Sequence, residues 1–313
     1  MSTLTQQEFC ITLSDLAAFL EMNPAEVKKK AESILGKKLK TPLHSTWLMP
    51  EEARRIVLAQ GYKYPKKVIS IQMLKGGVAK TTSVLNMGLR AAMYGARVLF
   101  IDLDQQANLS FALGVEDESL PVWVDIVEKK KSIEECVRFI EPHVDLIPSS
   151  LNNSVLDRVL MNSNRNWAQA VKAPLEKIQH RYDLILIDTA PALSATNTAV
   201  TIASDEVILP VNPDKFAFLG LQKNLSELED IKEDFELSFT NKILFTKFDG
   251  RENASHELLQ KCIESFEGHL MKGYIRTSSE VKNSVRSGKS LFSGKSSVKA
   301  DYDFVTREML GFC

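Results

Sequence analysis

The residues with the clearest chemical purpose are Lys75-Gly76-Gly77-Val78-Ala79-Lys80-Thr81-Thr82. They follow the apolar run Val68–Met73 and precede the helical stretch Thr82–Tyr94, which places them at a strand-to-helix junction. Glycines there let consecutive backbone N–H groups curl around an anion, the start of the helix adds a favourable dipole, and a lysine supplies a point charge. Such a loop grips phosphate, and Thr81, directly after Lys80, is placed to ligate Mg2+. Two carboxylates accompany it: Asp104 closes the run Arg97–Leu103, and Asp188 follows Leu184–Ile187.

The elements that must position these groups are short apolar runs alternating with helical stretches, the pattern of a parallel sheet with crossover helices. The runs are Val68–Met73, Arg97–Leu103, Val144–Ile147, Asp183–Ile187, Glu206–Val211, Lys242–Thr246 and a short one near Tyr274–Ile275, each nearly continuous in apolar residues as strands buried on both faces are. A doubly wound, mostly parallel α/β domain is expected over residues 67–313. Residues 1–66 differ, because their apolar positions Leu16, Ala17, Leu20 and Val27 fall at helical spacing around a break at Met22-Asn23-Pro24. Asn23 suits an N-cap and Pro24 a first helical turn, so a small helical, helix-turn-helix-like domain is expected, with Glu21 where glycine usually stands. Its second helix carries Lys28, Lys29 and Lys30, and Gln60–Lys66 reads as a linker.

The loop misses the ordinary G-x-x-x-x-G-K-[ST] pattern, since Leu74 and Ala79 occupy its glycine positions. With a second lysine, Lys75, at its start it resembles the deviant Walker A loop, K-G-G-x-x-K-[ST], of the ParA/MinD family of P-loop ATPases. Arg97–Asn108 is similar to that family's second motif, with Gln105 at a usual proline, and Leu184–Pro191 to its Walker B segment, with Ala190 at another. Ala203–Val211 and Leu244–Arg251 resemble family segments near the nucleotide base, which implies contacts from Thr246, Lys247 and Phe248.

The resemblance implies ATP and Mg2+ as cofactors and slow intrinsic ATP hydrolysis. Lys80 would reach the β- and γ-phosphates, while Thr82 and the amides of Gly76, Gly77, Val78, Ala79, Lys80 and Thr81 hold the phosphate chain. Thr81 would bind Mg2+ directly and Asp188 through water. Asp104 would orient the attacking water, and Asp102 would shape the segment around it. Lys75 would cross to a partner's ATP, giving a nucleotide-sandwich homodimer that hydrolysis dissolves.

A second ligand is suggested by residues 272–299, where seven basic residues meet one acid, Glu280. Arg276, Lys282, Arg286 and Lys289, interleaved with serine and glycine, suit sequence-independent phosphate contacts to DNA. Residues 1–66 are less basic, with ten Lys or Arg against seven Asp or Glu, and Lys28, Lys29 and Lys30 are the candidates there for contact with an operator. Family resemblance favours a partition ATPase that binds nucleoid DNA nonspecifically and is released when a ParB-type partner stimulates hydrolysis.

Composition limits the alternatives. The 313 residues carry 39 basic and 40 acidic side chains, so DNA binding must be local, and 44% hydrophobic residues fit an ordinary globular chain. No run approaches the roughly 18 apolar residues of a membrane span, and MSTLTQQEF does not read as a signal peptide, so a cytoplasmic, nucleoid-associated protein without membrane contact is expected. A MinD-like positioning ATPase is an alternative, though its membrane cycle needs a basic amphipathic C-terminus, for which DYDFVTREMLGFC is a poor candidate. Cys10, Cys136, Cys262 and Cys313 are too scattered for a disulfide framework, zinc or an iron–sulfur cluster. An ATP-regulated transcriptional repressor, reading an operator through residues 1–66, stays open.

Overall fold

Strands enclosed on both faces must be apolar throughout, and such runs fill the centre of the computed structural model, which describes residues 9–162, 166–214, 217–281, 291–292 and 296–312. In chain order the strands are β1 (Ile11–Thr12), β2 (Trp47–Leu48), β3 (Lys67–Ile71), β4 (Val98–Asp102), β5 (Arg138–Glu141), β6 (Val144–Ile147), β7 (Leu184–Asp188), β8 (Glu206–Val211), β9 (Thr240–Phe248) and β10 (Leu270–Arg276). The last eight form one sheet in the order β10-β9-β8-β3-β7-β4-β6-β5. All neighbours are parallel except β5 with β6. The fold is therefore α/β, with helices on both faces of a mostly parallel sheet.

Every expected strand is present. Sequence reading missed β5, a half-polar edge strand with no continuous apolar run, and the two-residue ribbon pairing β1 with β2. Cys10, Cys136 and Cys262 are buried and unbridged, and Cys313 lies outside the described residues.

Register then sets the site. Asp188 pairs laterally with both Ile71 and Asp102, so the ends of β3, β7 and β4 lie level at the carboxyl edge of the sheet. Open parallel sheets bind ligands at such an edge.

The N-terminal residues form helices α1 (Leu13–Phe19), α2 (Pro24–Leu35) and α3 (Pro50–Ala59). Thr12 caps α1 by accepting from the Asp15 amide, and Asn23 caps α2 by accepting from the Ala25 amide. Glu21, at φ 53°, takes the left-handed conformation of the tight turn between them. These helices share a continuous core with α4 (Lys80–Met93) and the C-terminal helix Lys299–Leu310. Phe19 stacks on Tyr94 with ring centroids 3.4 Å apart, and the Tyr64 hydroxyl donates to the Tyr94 carbonyl at 2.5 Å. Arg54 reaches from α3 to the Gly95 carbonyl (2.8 Å) and to the buried Asp183 carboxylate (2.5 Å). Asp15 pairs with Lys299 and Glu21 with Arg307, both at 2.5 Å.

Gly95 decides whether α3 can sit this close. Its φ is +94°, and an added Cβ would lie 2.5 Å from the Cα and N of Arg54, backbone atoms that cannot turn aside. Gly95→Ala is expected to cost on the order of 3 kcal/mol and to lower Tm by roughly 5–10 °C, read by thermal unfolding. An unchanged Tm contradicts this docking of α3.

Candidate functional site

Loop 74–79 leaves the end of β3 and enters α4 through Ala79, whose φ of 73° puts an alanine in the left-handed region that glycine occupies more easily. Lys80 opens α4 and is only 7% exposed. Its ammonium folds back on the loop, donating to the Met73 carbonyl at 3.2 Å and the Lys75 carbonyl at 3.4 Å. Burial lowers the Lys80 pKa, and the nearby Asp188 and Asp104 carboxylates oppose that shift. A cation held by weak carbonyl contacts in a dry site is free to exchange them for an anion.

Thr81 lies in the first turn of α4 and donates its hydroxyl to Asp188 Oδ2 at 2.6 Å. The other carboxylate oxygen, Asp188 Oδ1, is buried with no hydrogen-bond partner. Burial first, then the neighbouring Asp102, push the Asp188 pKa well above the usual carboxylate range. Asp102 Oδ2 accepts from the Ser110 amide (2.9 Å) and hydroxyl (2.8 Å), and Oδ1 accepts from the Asp104 amide (3.2 Å). Its pKa is raised to about 6, chiefly by burial. Asp104 is 8% exposed, and its Oδ1 accepts from the Gln106 amide at 3.0 Å. Three acids therefore meet in a dry crevice with a threonine hydroxyl and one buried carboxylate oxygen unsatisfied. The unsatisfied Asp188 oxygen and the Thr81 hydroxyl are hard oxygen donors of the kind Mg2+ takes, whereas both Asp102 oxygens are committed to Ser110 and the Asp104 amide.

Lys75 stands apart from this cluster. Its ammonium pairs with Asp214, on the loop after β8, and both side chains are about one-third exposed. Thr246 donates to the Val78 carbonyl at 3.1 Å, and Lys247 donates to the Gly77 carbonyl at 2.5 Å, so the end of β9 rests on the phosphate loop. Phe248 is enclosed by the rings of Phe245, His256 and Tyr274. In Ala203–Val211, by contrast, only the far end reaches the loop's side of the sheet. Asp205 is at the opposite edge, where its carboxylate accepts from the Val68 amide.

A family model described as AAA domain, AAA_31, matches residues 66–244. A ParA family protein of Chlamydia trachomatis is 33% identical over 254 residues, covering 78% of this chain and 97% of the relative. The chain belongs to the ParA family. The sporulation initiation inhibitor protein Soj of Bacillus subtilis is 28% identical across 67% of this chain and 83% of its own length. Two solved structures share the fold. McdA from Cyanothece in an ATP complex has a TM-score of 0.70 at 23% identity, covering 80% of this chain and 98% of McdA. A putative plasmid partition protein from Borrelia burgdorferi bound to AMPPNP has a TM-score of 0.66 at 22% identity, covering 80% of this chain and all of that one.

The ParA-family loop and both of its acidic partners thus come together at one crevice. Arg276 is held by Asp301 and by the Ser297 carbonyl, while Lys282, Arg286 and Lys289 lie outside the described residues. On α2, Lys28 pairs with Glu32 and Lys30 with Glu26, whereas Lys29 is exposed. Sequence reading missed Asp214 and Ser110. An aspartate after a strand carries no signal of the lysine it meets 139 positions earlier, and a serine in a short helix looks like any other. Among the described residues no helix is long and apolar enough to cross a membrane.

Proposed function

We propose that this ParA-family chain is an ATP-dependent DNA-partition ATPase, binding Mg2+·ATP at the carboxyl edge of β3, β7 and β4. The observation that carries this reading is the joining of loop and acid: Thr81 on Asp188, with an orphaned Asp188 oxygen beside them and Lys80 buried against the Met73 and Lys75 carbonyls. Lys80 and the loop amides hold the β- and γ-phosphates, with Thr81 and Asp188 placed to hold the metal. Bound Mg2+ supplies charge neutralisation for the triphosphate. Asp104 orients the attacking water. Lys75 exchanges Asp214 for a partner's phosphates, closing a dimer that binds DNA without reading sequence and comes apart when a ParB-type protein stimulates hydrolysis.

The deciding experiment measures DNA association and hydrolysis with ATP, ADP and a non-hydrolysable analogue, on random DNA and on the chain's own upstream region. ATP-dependent binding to random DNA that weakens steeply with salt is expected. Binding independent of nucleotide overturns the partition reading. A transcriptional role is favoured by one observation: α2 turns Ala25, Lys29 and Ser33 outward from the core, as a groove-reading helix must. Binding to the upstream region that survives with ADP and is lost on Lys29→Glu would support it.

The raised acid pKa values add a pH signature. Burial keeps a proton on Asp102 up to about pH 6 and on Asp188 above the usual range, whereas a bound cation favours their charged forms. Binding of Mg2+·ATP is therefore expected to expel protons at pH 6, fewer at pH 8, and to tighten as pH rises through about 6. Calorimetry in buffers of different ionisation heat checks this, and no proton release at pH 6 contradicts it. In the metal-free chain, Asp102's stabilising contribution is fully present below about pH 4 and lost as pH rises through about 6.

A further inference from the structure

The segment that carries Asp104 has little of its own to hold it in place. None of residues 105–108 is buried, so no side chain anchors it in the core before Leu109. Its internal hydrogen bonds run from the Gln106 amide to Asp104 Oδ1 (3.0 Å) and from the Ala107 amide to the Asp104 carbonyl (2.9 Å). Both travel with the turn and do not tie it to the sheet. Ala107 sits at φ 51°, a left-handed conformation that alanine keeps only when its surroundings impose it.

Asp102 supplies the constraint. Its Oδ1 accepts from the Asp104 amide at 3.2 Å, at the near end of the segment. Its Oδ2 accepts from the Ser110 amide (2.9 Å) and hydroxyl (2.8 Å), at the far end. One carboxylate thus clasps residues 103–110 at both ends. The Ser110 hydroxyl is fixed in turn, because it accepts from the Ser149 amide at 2.9 Å, just beyond the end of β6, the strand beside β4. The Ser149 hydroxyl accepts from the Asn153 side chain at 2.9 Å, so the clasp is tied to a second loop. Asp102 and Ser110 are both 0% exposed, and a hydrogen bond to a charged acceptor is roughly twice as strong as a neutral one. A serine suits this junction, since one hydroxyl can donate to a carboxylate while accepting from an amide.

We infer that Ser110 is a positioning residue for Asp104: with Asp102 it closes segment 103–110, and so fixes where the Asp104 backbone and the carboxylate it carries stand at the crevice. It acts on the Asp104 amide through Asp102, two hydrogen bonds away. The consequence for turnover rests on the ATPase reading, whereas the closure of the segment does not.

The test uses the full chain carrying Ser110→Ala, Asp102→Asn or both, the asparagine keeping the shape of the carboxylate but leaving one oxygen to serve two ends. Amide exchange is followed by mass spectrometry without nucleotide, comparing peptides that span residues 103–111 with peptides from β7. Turnover at saturating Mg2+·ATP and affinity by calorimetry are measured separately. Ser110→Ala is expected to speed exchange across 103–111 about tenfold while β7 stays as protected as before. It is expected to lower turnover about tenfold with affinity held within about threefold. Asp102→Asn should loosen the segment as much, and the double variant should exchange no faster than the faster single one, as two halves of one clasp must. The inference is overturned if Ser110→Ala leaves exchange across 103–111 unchanged, if β7 loosens equally, or if the two substitutions add. It is overturned too if turnover stays native while the segment loosens, or if affinity falls as far as turnover, which marks a general defect of the site. If the native chain hydrolyses no ATP, the ATPase reading fails, while exchange in the three variants still decides the closure.

Discussion

Asp104→Ala is expected to leave Mg2+·ATP affinity within about threefold of the native chain while turnover falls about 100-fold or more, the usual scale for losing a positioned proton acceptor. The two halves follow from one geometry. Asp104 contributes to the fields felt by Lys80 and Asp188, and its carboxylate accepts from the Gln106 amide rather than from an amide of the phosphate loop. Removing it subtracts a negative charge from a site meant for a triphosphate, which cannot weaken anion binding electrostatically. Asp102 cannot substitute, because both of its oxygens are committed to Ser110 and to the Asp104 amide. Since Asp104 also anchors the Gln106 amide, Asp104→Asn is the informative companion: it keeps an acceptor for that amide and loses only the charge. Both variants turning over at the native rate would remove Asp104 from the mechanism. Slow turnover in alanine alone would make it a positioning residue for the loop.

Much of this site can be read before any coordinates exist, for a physical reason. Strands covered on both faces have no polar alternation to blur them, so β4 and β7 announce themselves and their terminal acids with them. The phosphate loop is contiguous, its chemistry packed into eight residues. What sequence hides is whatever depends on contact between distant segments. Arg90 is an arginine in the middle of a helix, ordinarily a solvent-facing residue, yet it is 1% exposed, clamped by Asp303 and lying over the Tyr94 and Phe292 rings. Helical spacing shows which face of α4 is apolar but not that the N-terminal helices and the C-terminal helix cover the other. Lys28 and Lys30 look available for DNA by charge alone, and the i,i+4 spacing to Glu32 and Glu26 already offers each a weak partner, which the fold realises.

Lys75 and Asp214 yield a pair of opposite effects. An exposed ion pair is worth about 1 kcal/mol or less, and theirs is about one-third exposed on each side, so leaving Asp214 would cost Lys75 little. A triphosphate offers several charged oxygens to the same ammonium, and charge-assisted contacts in a dry interface are roughly twice as strong as ordinary hydrogen bonds. Lys75→Ala is therefore expected to abolish dimerisation driven by a non-hydrolysable ATP analogue, weakening association about 100-fold or more, with each monomer still binding nucleotide through Lys80. Asp214→Asn keeps the shape and removes the competing charge, so it should strengthen association by about fivefold at most, the value of the pair it breaks. Sedimentation equilibrium across protein concentration reads both. Native-like dimers of Lys75→Ala would end the idea that this lysine serves a second subunit. Weaker dimers of Asp214→Asn would show that the aspartate works within the assembled pair rather than holding the lysine in reserve.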